Sequence, residues 1–326
     1  MKLGSLKEKN QKDGRLVLVS KDLKNYVDVA DIAVSLLQAV ENWNQVEPKL
    51  KERYQQLNSG SLKEAKPYNE SLMAAALPRT WLFADGSSFI YHVKLVRKAR
   101  KAPLPETLQT VPLMYQGEAG RFLAPLEAIP QVDFSHGTDF EGEVGVIVDD
   151  VPIGVTPEAA LKHIKLVVLI NDVSLRGLIP EELASGFGFF QSKPNSALSP
   201  LALTLDEFGP AWKDGRLHLP LTVNLNGQFF GNANAGEMYF HFGQLIAHAA
   251  KTRPLAAGSL IGSGTVSNED HAKGSSCLVE KRTIEVIEKE KAETPFMKVG
   301  DTVEILMRNE KGEDLFGRIF QTVQKV

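Results

Sequence analysis

The chain has 326 residues, is 43% hydrophobic and carries a formal net charge of −3. That length supports a large core, in one big domain or two unequal ones, and the small charge gives no bias toward nucleic acid or acidic membranes. A single cysteine, Cys277, excludes an intrachain disulfide framework and a multi-cysteine metal site, and points to a reducing, cytoplasmic compartment.

The first segment, MKLGSLKEKNQKDG, is polar and lacks the apolar core of a signal peptide. Short strands are expected in MKLGSLK and GRLVLVS, on either side of a polar turn. From Ala30 to Leu57, apolar residues such as Ile32, Leu36, Leu37, Val40 and Trp43 recur at helical spacing. Pro48 is expected to split this stretch into two helices. The polar run NSGSLKEAKPYNES marks a boundary near residues 58–71. Residues 1–75 therefore read as a small N-terminal α/β domain, ahead of a larger domain over 76–326.

Past residue 80, strands are expected at 143–148, 166–170, 217–225, 278–287, 301–306 and 315–323. Thr156-Pro157-Glu158 opens a helix, with a capping threonine and proline at the first turn. A second helix is expected over 238–251. The fold class is α+β and β-rich. The longest apolar runs, such as LVVLI, are too short to cross a bilayer.

Carboxylates mark the candidate site. Glu141 and Glu143 flank Gly142 at the mouth of an apolar run, and residues two apart in a strand share a face. Two like charges so held repel unless a cation lies between them. Asp172 ends the apolar run LVVLIN, and Asp85 ends WLFA. Clustered carboxylate oxygens suit Mg²⁺ or Ca²⁺. The competing readings are a solvated strand edge for the glutamates and a turn cap for Asp172. His92 follows Asp85 by seven residues, and imidazole titrates near neutrality, as a general base requires. His136 is a rival by its proximity to Glu141. Arg176 and Lys193 are candidate anion holders or structural ion-pair partners. KLVRKARK (94–101) reads as a solvated face or an anion-attracting lid, and is too short for nucleic acid. The glycine-rich GSGTVSNED (262–270) lacks a phosphate-loop pattern, leaving Thr265 as a carboxylate contact or part of a tight turn.

The segments DGSSFIYH, PLMYQG, FEGEVGVIV, NDVSLRG, FGFFQSK and TRPLAAGSLIGSGTVS occur in the order in which their counterparts occur in the fumarylacetoacetate hydrolase family. The chain resembles that family, and within it the bacterial fumarylacetoacetases. The resemblance implies a β-rich roll behind a small N-terminal domain, a homodimer, and a bound Mg²⁺ or Ca²⁺. It implies Asp85, Glu141, Glu143 and Asp172 as metal ligands. It also implies His92 as the catalytic base, Glu280 as the carboxylate orienting it, and Arg176 and Lys193 as catalytic cations. Tyr115, Thr265 and Arg100 (or its neighbour Lys101) are implied as substrate contacts. Ser87 and Ile179 depart from the family pattern, standing where animal-type enzymes carry tyrosine and a substrate-binding glutamine.

The implied reaction is hydrolysis of a carbon–carbon bond in a small diketo acid, fumarylacetoacetate, in tyrosine and phenylalanine breakdown. Alternatives are acylpyruvate hydrolysis, oxaloacetate decarboxylation, a hydratase step, or a non-catalytic metal-binding scaffold.

Overall fold

The computed structural model describes residues 1–99, 103, 104 and 106–326. An 11-stranded sheet forms the backbone of the molecule. Its centre is the antiparallel pair Gly142–Val148 and Ile164–Asn171, in the register Ile170 opposite Glu143. On one side, Leu260–Gly262 and Phe83–Gly86 continue the sheet as a parallel pair, ending at Met114–Gly117. On the other side, Leu201–Leu203 receives Lys2–Glu8, so the N-terminal strands join the same sheet across the expected boundary at residue 75.

Both faces of the central strands are buried, which explains their near-continuous apolar sequence. Val144, Val146 and Val148 pack with Leu221, Val223, Val303 and Ile305 of a second, five-stranded sheet. Ile147, Val168 and Ile170 belong to a second buried cluster that also holds Leu36, Trp43 and Leu50 of the N-terminal helices. No helix among the described residues is long and apolar enough to cross a membrane. The architecture is α+β, as expected.

Three expected elements differ, the first being the strand over 217–225, which is two strands, Arg216–Leu217 and Pro220–Leu225, in different sheets. The break between the N-terminal helices falls at Asn42, between Leu36–Glu41 and Trp43–Asn58, and Pro48 lies inside the second helix. Proline removes one ladder bond, and the buried stripe Trp43, Val46, Leu50, Tyr54 and Leu57 holds the helix regardless. The segment expected as a strand over 278–287 is the helix Leu278–Lys289. Its first N–H groups, Leu278 and Val279, donate to the Asp139 carboxylate at 2.7 and 3.0 Å. The cap comes from 139 residues away, so no local signal announces it.

Candidate metal centre and active site

Period-two alternation places the acids. Asp85 shares a sheet face with Phe83, Glu143 with Ile147, and Asp172 follows Ile170 by two residues; all three apolar partners belong to one core cluster. The backbone bond from Asp172 N to Glu141 O (2.9 Å) brings the fourth acid level with them. Asp85, Glu141, Glu143 and Asp172 thus gather at one end of one sheet face. Gly262 lies between the Asp85 and Glu143 strands, where a Cβ would collide with Asp85 Oδ1 and stand 3.3 Å from Glu143 Oε2.

Each acid has a different environment. Glu141 accepts from Arg176 Nη2 and Lys193 Nζ, both at 2.6 Å. Burial would raise its pKa, but these two cations hold it well below the usual carboxylate range. Asp172 accepts from Lys193, from Tyr115 Oη at 2.6 Å and from Ser196 Oγ at 2.6 Å. Asp85 accepts the backbone N–H of Gly264 at 3.0 Å. Burial, with the Asp172 charge beside it, pushes the Asp85 carboxyl up to about 8. Glu143 is fully buried, and neither of its carboxylate oxygens has a hydrogen-bond partner among the described residues. Burial and the charges of Asp85 and Asp172 drive its pKa well above the ordinary value.

These observations fit a divalent cation. Asp85, Glu143 and Asp172 each offer an oxygen within 4.8 Å of the other two. An unpartnered buried carboxylate beside a second acid whose pKa burial raises fits a site that a cation would neutralise. The donor set is all oxygen, which suits Mg²⁺, Ca²⁺ or Mn²⁺.

The helix Ile90–Ala99 brings His92 to this cluster, and the helix Leu278–Lys289 packs against it. His92 Nδ1 lies 2.8 Å from Glu280 Oε2, and Glu280 is 1% exposed. A carboxylate accepting from Nδ1–H leaves Nε2 as the basic nitrogen. His92, Glu141 and Cys277 each offer an atom within 4.8 Å of the other two. Burial pushes the Cys277 thiol well up, so it stays protonated there.

A cavity of about 130 Å³ is lined by Asp85, His92, Tyr115, Glu141, Glu143, Arg176, Lys193 and Thr265. Asp172 and Glu280 lie directly behind it, bonded to Lys193 and His92. Apart from Arg100, and its neighbour Lys101, which lie outside the described residues, the expected site residues come together in one place. Tyr115, expected against substrate, places its hydroxyl on Asp172. His136 is not among the residues that line the cavity, and its surroundings give it no part in the cluster.

The structure adds residues that the sequence did not single out. Asp139, fully buried, accepts from Arg176 Nε at 2.8 Å and caps the Glu280 helix, joining cation and base. Glu182 gathers the N–H groups of Phe190, Gln191 and Ser192 at 3.0, 2.5 and 3.2 Å, shaping the loop that delivers Lys193. Phe189 meets Tyr115 edge-on, with centroids 5.1 Å apart. The only sequence signal for these roles was an acid or aromatic near an already suspected residue.

Among curated proteins, the chain is 29% identical over 167 residues to a 2,4-didehydro-3-deoxy-L-rhamnonate hydrolase of Sphingomonas sp. (strain SKA58), covering 50% of this chain and 54% of that one. It is 27% identical over 129 residues to the oxaloacetate tautomerase YisK of Bacillus subtilis (strain 168), covering 40% and 41%. The chain thus spans about half the length of these relatives, and neither is named a fumarylacetoacetase. The fold is shared with the crystal structure of maleylpyruvate hydrolase from Sphingobium sp. SYK-6 in complex with manganese(II) ion and pyruvate: TM-score 0.66, 13% identity, covering 100% of this chain and 99% of that one. Residues 82–324 match the family described as fumarylacetoacetate (FAA) hydrolase C-terminal, and residues 1–79 match fumarylacetoacetase N-terminal domain 2. Matched along nearly all of its length, this chain belongs to the fumarylacetoacetate hydrolase family.

Proposed function

We propose that the protein is a metal-dependent hydrolase that cleaves a carbon–carbon bond of a β-diketo acid. The observation that carries this reading is the His92–Glu280 pair set beside the carboxylate cluster. A histidine oriented by a buried carboxylate can take a proton from water, the step that hydrolysis needs; a tautomerase could use the same pair on a carbon-bound proton, so the products decide between the two. Mg²⁺ or Ca²⁺ held by Asp85, Glu141, Glu143 and Asp172 would supply Lewis-acid polarisation of the dicarbonyl.

The chain's own groups do the rest. His92 Nε2 takes a proton from water, and Glu280 stabilises the imidazolium that forms. The hydroxide adds to the carbonyl at the far end of the diketone. Lys193 and Arg176 line the same cavity, and the part of their charge not used by Glu141, Asp139 and Asp172 would offset the negative charge that develops there. Collapse breaks the carbon–carbon bond, and the proton on His92 returns to the departing carbon.

Fumarylacetoacetate is one member of this substrate class, and tyrosine breakdown would follow only from that member. A second reading is keto–enol tautomerisation, the reaction named for the Bacillus subtilis relative. A panel of fumarylacetoacetate, acetylpyruvate and oxaloacetate, followed by NMR with added Mg²⁺, separates the two. Cleavage into two acids supports hydrolysis. Accelerated keto–enol exchange without new products refutes it in favour of tautomerisation.

A further inference from the structure

The carboxylate cavity shares His92, Arg176 and Phe189 with an adjoining second cleft of about 560 Å³, which the chemistry above leaves unused. One wall is the helix Leu278–Lys289, which presents Val279, Arg282, Thr283 and Val286 at i, i+3, i+4 and i+7. Glu280 of the same helix holds His92, so one element both orients the base and builds this wall. The facing wall carries Ile179 and Leu183, at i and i+4 of the helix Ile179–Ser185. Phe134 and Phe296 close the remaining sides.

The walls are apolar and left open. Phe134 and Leu183 are 56% and 45% exposed beside a reaction centre. The cations do not change that character. Arg176 is committed to Asp139 and Glu141. Arg282 lies with its guanidinium 4.2 Å from the Phe296 ring centroid and donates to the Thr294 carbonyl, so it extends the aromatic wall.

We propose that this cleft receives an apolar acyl group: the preferred substrate is a diketo acid whose far carbonyl bears an aromatic or branched aliphatic substituent. The inference rests on the hydrolytic reading. A three- or four-carbon oxo acid would occupy the 130 Å³ cavity and leave the 560 Å³ cleft wet. A tail ending in a carboxylate would meet apolar walls at a desolvation cost unless Arg282 left Phe296 to pair with it. An apolar tail covers Phe134 and Leu183, and each methylene so buried favours turnover by about fourfold. In the step itself, water adds to the acyl carbonyl and the bond to the neighbouring methylene breaks. The electron pair leaves on that methylene carbon, which takes the proton from His92. From 2,4-dioxo-4-phenylbutanoate the products are benzoate and pyruvate.

Steady-state kinetics of the magnesium-loaded full chain test this with 2,4-dioxo-4-phenylbutanoate, 2,4-dioxopentanoate and fumarylacetoacetate. The phenyl substrate is expected to exceed the methyl one in kcat/KM by about tenfold or more. Leu183→Asp, at a surface position, and Val286→Trp should each shrink that ratio by roughly tenfold. If the methyl substrate is cleaved as well as the phenyl one, the inference fails while the hydrolytic reading stands. If the fumaryl substrate is best and Arg282→Gln removes its advantage, the tail is anionic and the inference fails. If Leu183→Asp leaves the ratio intact but turns a dimer into a monomer on sedimentation, the cleft is a contact between copies, and the inference fails. If no diketo acid is cleaved, the hydrolytic reading falls first.

Discussion

At His92, Arg176 and Phe189 a 130 Å³ cavity walled by charge meets a 560 Å³ cleft walled by apolar side chains. The first sits on the end of the central sheet. Its acids are held by strand register and by Tyr115, Ser196, Gly264 and Asp139 through Arg176. The second is carried by two helices and the segments around Phe134 and Phe296, with half-exposed side chains and few polar contacts. Buried charge must be positioned to within fractions of an ångström to be tolerated, so the chemical half is built on rigid strands with supporting hydrogen bonds. Apolar recognition of the kind proposed for the cleft needs only area and shape, which helices and loops can supply.

The largest effect should come from His92, one of the residues that both halves share. His92→Ala is expected to lower kcat by about 10²–10⁴-fold, while calorimetric titration with Mg²⁺ stays as in the parent. Retention of the parental rate would remove His92 from the mechanism. On the charged side, Glu143→Gln should move two properties in opposite directions. With chelator present it should stabilise the protein by about 1–3 kcal/mol, because it removes a buried carboxyl that must otherwise bind a proton to fold. With Mg²⁺ it should lose the metal-dependent gain in stability. Urea denaturation in both conditions reads this out, and a loss in both would mean that Glu143 carries no unmet charge.

The pH dependence follows from the same imbalance. Asp85 titrates at about 8 in the folded chain, against an ordinary 3.8. The folded form therefore keeps a proton that the unfolded chain releases. That stabilising contribution is complete below the ordinary value and is lost as pH rises through about 8. Glu143, also raised, acts in the same sense. Glu141, held low, acts only in acid, where its contribution is lost as it protonates. The metal-stripped protein should thus lose up to about 1.4 kcal/mol per pH unit per proton between mild acid and pH 8, and Mg²⁺ should flatten the profile. Melting curves across that window check this; a stripped protein that gains stability toward pH 8 would contradict it. Asp139→Asn keeps an acceptor at the helix start but removes the charge paired with the buried Arg176. It should cost about 3–5 kcal/mol in denaturation and lower kcat through the Glu280 helix. A wild-type melting curve would show that the cap is dispensable.

The charged half was far more legible in the sequence than the apolar half. Glu141, Glu143 and Asp172 could be picked out because an acid at the mouth of an apolar, β-branched run violates the expected pattern. His92 and Glu280, 188 residues apart, could be paired only through the family resemblance, since nothing local ties them together. The roles of Gly262, Asp139 and Ser196 were not legible: each acts on a residue brought near by the sheet. The helix Leu278–Lys289 looked like a strand because of its β-branched content and its distant cap. With that helix misread, the face presenting Val279, Arg282, Thr283 and Val286 could not be assembled, and neither could the cleft it lines.

The central claim is that carboxylate-held metal and His92 together hydrolyse a diketo acid. The most direct test is the spectrophotometric disappearance of 2,4-dioxopentanoate or its phenyl analogue, with pyruvate measured as product, in stripped protein, after Mg²⁺ is restored, and in His92→Ala. The account predicts stoichiometric pyruvate release that requires the metal and vanishes in the variant. Cleavage that survives both the chelator and the loss of His92 would contradict it.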